Sequence, residues 1–137
     1  MSDIFELGAK IIEQQPYSRH LGIELVEFSR EKTVVNLPLK HYVKQHHGFA
    51  HGGALSSLAD VALTFAGGTA LGSSVLTSEF KINFLKPAIG EKLVAEARVV
   101  SSGKRQAVCV CEIFSVSEKN KKLVAIAQGT IIKTDIG

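Results

Sequence analysis

Residues 78–85, Ser-Glu-Phe-Lys-Ile-Asn-Phe-Leu, alternate with period two. Phe80, Ile82 and Phe84 share one side, and Glu79, Lys81 and Asn83 share the other, which predicts a half-buried β-strand. The same β-type patterning recurs at 92–101, 106–117 and 122–134, punctuated by Pro87, Gly103 and the Glu118-Lys119-Asn120 turn. Before these strands, residues 21–28 and 33–39 flank Ser29-Arg30-Glu31-Lys32 and predict a hairpin. Two segments instead follow a helical period. In the first fifteen residues Ile4, Leu7, Ile11 and Ile12 recur at helical intervals, Asp3 and Glu6 have capping-box spacing, and Pro16 is expected to end the helix. Residues 53–66 form the second, expected to stop at Gly67-Gly68.

The order is therefore helix, two strands, one long apolar helix, then four strands. One apolar helix and a run of antiparallel strands make an α+β domain, packed most simply with the helix against one face of a curved sheet. No repeat, low-complexity tract or linker divides the 137 residues, so 1–137 is expected to form a single domain, with 1–16 as its N-terminal helix.

At 100° per residue, Leu55, Leu58, Ala59, Ala62 and Ala66 fall on one stripe of the central helix, which should face the sheet. Ser56, Asp60, Thr64 and Gly67 occupy a different arc. Asp60 is the anomaly. It lies too far along the helix to be an N-cap or to gain from the dipole. The positions three and four residues away, Ser56, Ser57, Leu63 and Thr64, hold no cation. Two readings are open: a solvated or structurally bonded carboxylate, with Ser56 or Thr64 as partner, or a general base or nucleophile in a pocket.

Directly before this helix stands His51-Gly52-Gly53. Glycines at a helix start leave backbone N–H groups uncovered where the dipole favours negative charge, which suits an oxyanion hole for acyl transfer. Gly52 and Asp60 are eight residues apart, roughly 12 Å along one helix axis. An oxyanion donor must sit about 3 Å from the developing charge. If both groups act on one carbonyl, they come from two chains, so the spacing predicts a homodimer with two shared sites.

The run His-Gly-Phe-Ala-His51-Gly52-Gly53-Ala-Leu-Ser-Ser-Leu-Ala-Asp60, followed by Thr77-Ser78-Glu-Phe-Lys-Ile-Asn83-Phe-Leu-Lys-Pro87-Ala88, resembles the hotdog-fold acyl-CoA thioesterases of the PaaI-like, phenylacetate-degradation branch. The resemblance runs from about residue 17 to the C-terminus. It implies an antiparallel sheet wrapped around one long central helix, and a homodimer that is often a dimer of dimers. It places the family's catalytic acid on Asp60 and its oxyanion glycine on Gly52 of the opposite subunit. Gln45 stands where many members carry an Asn that orients water or substrate; Ser78 matches a serine that assists the carboxylate; His51 shapes the turn presenting Gly52. Gly53, Phe49 and Thr64 are the expected substrate-binding neighbours.

The expected substrate is then an acyl-CoA, hydrolysed without metal or cofactor. Gly103-Lys104-Arg105 between two strands offers cations for the nucleotide phosphates. Phe49, Phe65, Phe80 and Phe84 are candidates for an aryl or medium-chain pocket. Rival readings are an acyl-thioester dehydratase, for which no His/acid pair stands out, and a non-catalytic acyl-CoA sensor, which Asp60 argues against.

The remaining composition narrows the field. A net charge of +3 gives no basic face for nucleic acid. His41, His46, His47 and His51 fit no zinc spacing. The apolar stretch 54–71 carries Asp60, serines, threonines and glycines, and reads as a buried helix rather than a membrane span. The N-terminus lacks the cationic start and unbroken apolar core of a secretory signal. Cys109 and Cys111, two apart in a strand, point to one face in poor geometry for pairing. Reduced, buried thiols and a cytoplasmic location are expected.

Overall fold

The computed structural model describes residues 3–136. The elements are α1 (Asp3–Glu13), α2 (Pro16–Leu21), β1 (Glu24–Phe28), β2 (Thr33–Pro38), a 3₁₀ turn (His41–Val43), α3 (Gly52–Leu71), β3 (Val75–Phe84), β4 (Lys92–Ser102), β5 (Gln106–Ser117) and β6 (Asn120–Lys133). One six-stranded antiparallel sheet runs in the order β1-β2-β4-β5-β6-β3. Its inner face packs along α3. This is the hotdog arrangement, an α+β fold with the sheet around a central helix.

Small residues on both partners make that close packing possible. The sheet offers Ala95, Ala97, Ala107, Cys109, Cys111, Ala125 and Ala127 on its inner face, and α3 offers Ala54, Ala59, Ala62 and Ala66, all buried. Larger side chains, Leu58 and Leu63 of α3 with Val35, Leu37, Leu93, Ile113 and Ile131 of the sheet, fill the remaining space at zero exposure. Among the described residues α3 is the one helix long and apolar enough to cross a bilayer, but its apolarity is that of a core helix whose Leu58, Ala59, Ala62 and Leu63 touch no solvent. Both cysteines are free and buried. Burial raises the thiols, to about 11 at Cys109 and about 12 at Cys111, where Glu112 and Glu96 add to the effect.

Two helix ends differ from the sequence expectation. Pro16 does not simply stop a helix; it begins α2, because a proline at the first helical position gives up an N–H that has no partner there anyway. Likewise α3 does not stop at Gly67-Gly68 but continues to Leu71. Gly67 is an interior contact: a Cβ there would lie 2.6 Å from Ile131 Cβ. The helix ends at Gly72, whose φ of 97° only glycine adopts readily and whose N–H donates to Gly68 O at 2.9 Å.

Candidate active site

The predicted site residues separate into two groups on α3. The first surrounds the helix tip. His51 is the N-cap, with φ −65° and ψ 140°, and its Nδ1 accepts the Gly53 N–H at 2.8 Å. The N–H groups of Ala54 and Leu55 donate to His51 O. Gly52 is thus left as the uncapped position: its N–H finds no acceptor among the described residues. The histidine therefore disposes of one orphan donor and leaves its neighbour for a ligand, at the positive end of a twenty-residue helix. Gly53, by contrast, has its N–H occupied.

Gln45 and Phe49 join Gly52 in a cleft of about 320 Å³, together with Leu55, Phe84 and Lys86. A tight turn builds this wall. Gln45 N–H donates to Phe49 O at 2.8 Å and Gly48 N–H to Gln45 O at 3.0 Å, with Gly48 at φ 87°. The Gln45 side-chain Oε1 accepts the His47 N–H and so closes the loop. The Phe84 ring lies against Gly52, 3.5 Å from where a Cβ would stand.

The second group lies two turns along the helix. Asp60 is half-buried and faces β3, one of the two edge strands of the sheet. Thr77 Oγ1 donates to Asp60 Oδ1 at 2.6 Å. Thr64, one turn further on, lies with its Oγ1 2.7 Å from Thr77 Oγ1, 3.4 Å from Asp60 Oδ1 and 2.6 Å from Asp60 O. Each hydroxyl has one proton, so the consistent pattern has Thr77 donating to the carboxylate and Thr64 donating to Thr77 or to the helix carbonyl. Asp60 Oδ2 has no partner, and no Lys or Arg pairs with this carboxylate, among the described residues. The ion pairs there, Lys32–Glu96 and Lys121–Glu96, join strands elsewhere.

The hydroxyl on the carboxylate is thus Thr77 and not Ser78, and a β-bulge is the reason. Thr77 pairs with Ile131 and Glu79 with Thr130, so two steps on β3 match one on β6. In an unbroken alternation Ser78 would share the inner face with Phe80 and Ile82. The extra residue turns Ser78 outward, where it is exposed, and brings Thr77 inward opposite buried Ile131. Gly129 accommodates the bulge: a Cβ on it would lie 2.6 Å from Glu79 O. No spacing rule flags this residue beforehand; Gly129 within a strand is the signal that something irregular passes nearby.

Lys104 and Arg105 are exposed in the β4–β5 turn, closed by Gly103 N–H to Gln106 O at 2.9 Å. The neighbouring Ser102 shares a surface depression with Thr69 and Ala70, near the C-terminal end of α3. The pair therefore lies toward the end of the fold away from Gly52, and neither site group contacts it within one chain.

Residues 47–121 match the family described as the thioesterase superfamily, more than half of the chain. The acyl-coenzyme A thioesterase PaaI of Escherichia coli is 31% identical over 118 residues, covering 85% of this chain and 81% of that protein. Its solved structure superposes with a TM-score of 0.82, at 27% identity over 98% of this chain and 94% of that one. A protein of Archaeoglobus fulgidus described as a putative esterase is 38% identical over 98 residues, 68% of this chain; the match spans only 61% of that protein's length. A thioesterase family protein from Silicibacter pomeroyi superposes with a TM-score of 0.88 at 27% identity, over 94% of this chain and 96% of that chain. The chain belongs to the thioesterase superfamily, and its fold is that of the PaaI-like hotdog proteins.

Proposed function

We propose that this protein hydrolyses acyl-CoA thioesters to the free acid and CoA, at sites shared between two copies of the chain. The observation that carries the reading is Asp60: a half-buried carboxylate with one oxygen held by Thr77, the other unpartnered, and no cation beside it among the described residues. The oxygen that Thr77 does not hold is the one left to meet water or substrate. Superfamily membership and the PaaI relative support the thioester as the bond broken.

In this reading the Gly52 N–H polarises the thioester carbonyl and holds the oxyanion. Asp60 either takes a proton from the attacking water, later returned to the leaving sulfur, or attacks directly to give a mixed anhydride that water then opens. In the first route the C–S bond breaks as the proton taken from water passes to sulfur; in the second the thiolate leaves when the anhydride C–O bond forms and is protonated from solvent, and water then opens the anhydride to regenerate the Asp60 carboxylate; both consume one water and give the free acid and the CoA thiol. Gln45 lines the Gly52 cleft, with its side-chain oxygen turned to the His47 N–H. Its NH₂ group is therefore the end left to bind substrate or water.

The homodimer belongs to the same proposal. Gly52 and Asp60 share α3, roughly 12 Å apart by helix rise, too far for one carbonyl. Asp60 faces β3, a ten-residue edge strand whose outer side is unpaired among the described residues. Leu76, Phe84 and Leu85 on or beside it are exposed. An unpaired edge of this length, with exposed apolar side chains near both ends, invites a second copy. Ser78, turned outward by the bulge, would then meet the partner. We also propose Lys104 and Arg105, exposed and without a carboxylate partner among the described residues, as contacts for the CoA phosphates, a dimer-of-dimers assembly, and a cytoplasmic location that agrees with two free thiols.

The test is Asp60→Asn, assayed by thiol release from acyl-CoA. The expected loss in kcat is at least about 100-fold, the scale of a lost acid–base or nucleophilic group, with the oligomer intact. Near-wild-type turnover would reject the role of Asp60.

A further inference from the structure

The chain has 13 acids and 5 histidines, and the two are segregated. Residues 14–23, 39–59 and 80–90 hold no Asp or Glu, yet they hold every histidine and the cations Arg19, Lys40, Lys44, Lys81 and Lys86. The fold gathers these three stretches at one place, the N-terminal tip of α3. Tyr17 OH of α2 lies 3.0 Å from Ser57 Oγ in the second turn of α3. The His20 and Tyr42 rings stand 5.8 Å apart and join α2 to the 3₁₀ turn. His51 N–H donates to Val43 O, and Ala50 N–H to Ala88 O, so that turn and the segment after β3 both border the tip. Glu91, whose carbonyl accepts the Leu39 N–H, marks the edge of the region.

Arg19, Lys40 and Lys44 are exposed there, and none has a carboxylate partner among the described residues. Tyr17 and Tyr42 beside them are 62% and 58% exposed. Neither ring is loose. Ser57 donates its own proton to Gly53 O at 2.8 Å, so the Tyr17 hydroxyl donates to Ser57 Oγ. Tyr42 leans on His20 at a tilt of 40°. Held, exposed tyrosines among unpaired cations, with acids absent, have the composition of a protein-binding surface. The dipole of α3 adds positive potential at its tip. The cations are spread over α2, the 3₁₀ turn and the loop after it, a distribution that suits carboxylates along a partner's surface better than one cluster of phosphates.

We propose that this face docks an acidic carrier protein, one that holds its acyl group as a thioester on a phosphopantetheine arm, and that the chain hydrolyses such carrier-bound thioesters. The proposal rests on the reading of Gly52 and Asp60 as the hydrolytic groups. Gly52 lies within the ring of contacts just described, and its cleft opens beside Lys86. A carrier seated on Tyr17 and Tyr42 delivers its arm to that cleft. Water adds to the carbonyl, the C–S bond breaks, and the proton lost by water goes to sulfur. The products are the free acid and the carrier's thiol.

The experiment uses the full-length chain and one acyl group on two handles: octanoyl-acyl carrier protein and octanoyl-CoA. KM and kcat are measured for the wild type, for Arg19→Glu with Lys44→Glu, and for the same pair changed to Gln. The double Glu variant should raise KM for the carrier substrate at least about tenfold at low salt, with the Gln pair intermediate, because like charges then meet across the interface. Its kinetics on octanoyl-CoA should stay within about twofold of wild type, which also shows that it folds. Raising NaCl from about 50 to about 500 mM should weaken the carrier substrate for the wild type and much less for the Glu variant. Equal losses on both handles would assign the cations to the CoA phosphates and overturn the proposal, as would carrier turnover that neither variant nor salt affects. Hydrolysis of octanoyl-CoA with no turnover of the carrier substrate overturns it too. If neither thioester is hydrolysed, the catalytic reading falls, and fluorescence anisotropy of labelled carrier on the wild type and the Glu variant decides the surface alone. Binding that the charge reversal abolishes supports the surface, and no binding, or binding it leaves unchanged, rejects it.

Discussion

The Thr77 hydroxyl holds Asp60 Oδ1 at 2.6 Å and so fixes which oxygen is left to meet water or substrate. A hydrogen bond to a charged group contributes about 1.5–3 kcal/mol. Thr77→Val keeps the shape and removes the donor; it should lower kcat about tenfold or more, and Thr77→Ser should restore most of the loss. Steady-state kinetics on the two variants, with Ser78→Ala beside them, checks this. A silent Thr77→Val with the loss at Ser78→Ala would transfer the role to Ser78. At this scale the sequence was partly legible. Asp60 announced itself because a carboxylate deep in an apolar helix, with no cation at helical spacing, is out of place. Gly52 did so because paired glycines precede the helix. Which hydroxyl touches the acid was not legible, because the bulge is a property of the β3–β6 pairing and not of β3 alone. The division of labour between Gly52 and Gly53 was hidden for a similar reason: it depends on the His51 ring turning back onto one N–H and not the other.

At the scale of elements, the twin glycines of α3 show how one residue type answers two demands. Read locally, Gly67-Gly68 is a helix stop. In the fold it is interior, because the sheet presses on Gly67 through Ile131 and the actual stop is at Gly72. The two positions should respond oppositely to the same substitution. Gly67→Ala must push the helix off Ile131 and should destabilise by about 1–3 kcal/mol, the cost of overpacking. Gly68→Ala meets only ordinary contact and should stabilise by up to about 1 kcal/mol through helix propensity. Urea unfolding of both variants measures the pair, and equal effects would contradict the packing described. Strand and helix identities were legible because alternation and the Leu55–Leu58–Ala62 stripe reflect burial directly. The ends were less so: Pro16 reads as a terminator, but the chain re-enters a helix there, a choice made by the packing of Ser18 and Leu21 in the interior.

For the whole molecule, the sequence supplied the hotdog architecture through its element order and motif, and supplied the distance between Gly52 and Asp60, but not the sheet order that puts β3 at the edge. That order matters, since it sets Asp60 beside the surface a second copy would use. Shared sites have a consequence that separate sites lack. Asp60→Asn and Gly52→Pro should each be inactive alone. Proline is a conservative way to delete the donor: Gly52 is the first helical residue, where proline is favoured, and His51 at ψ 140° already has the extended backbone that must precede it. In a heterodimer of the two, one site combines both defects and the other combines an intact Asp60 with an intact Gly52. Unfolding and refolding an equal mixture should make half the dimers hybrid, each with one good site, and should restore about a quarter of wild-type activity from two dead proteins. Thiol release from acyl-CoA, measured before and after subunit exchange, reads this out. No recovery despite hybrids visible by mass spectrometry would mean that each chain works with its own groups, and the acid at the helix waist would then need an oxyanion donor other than Gly52.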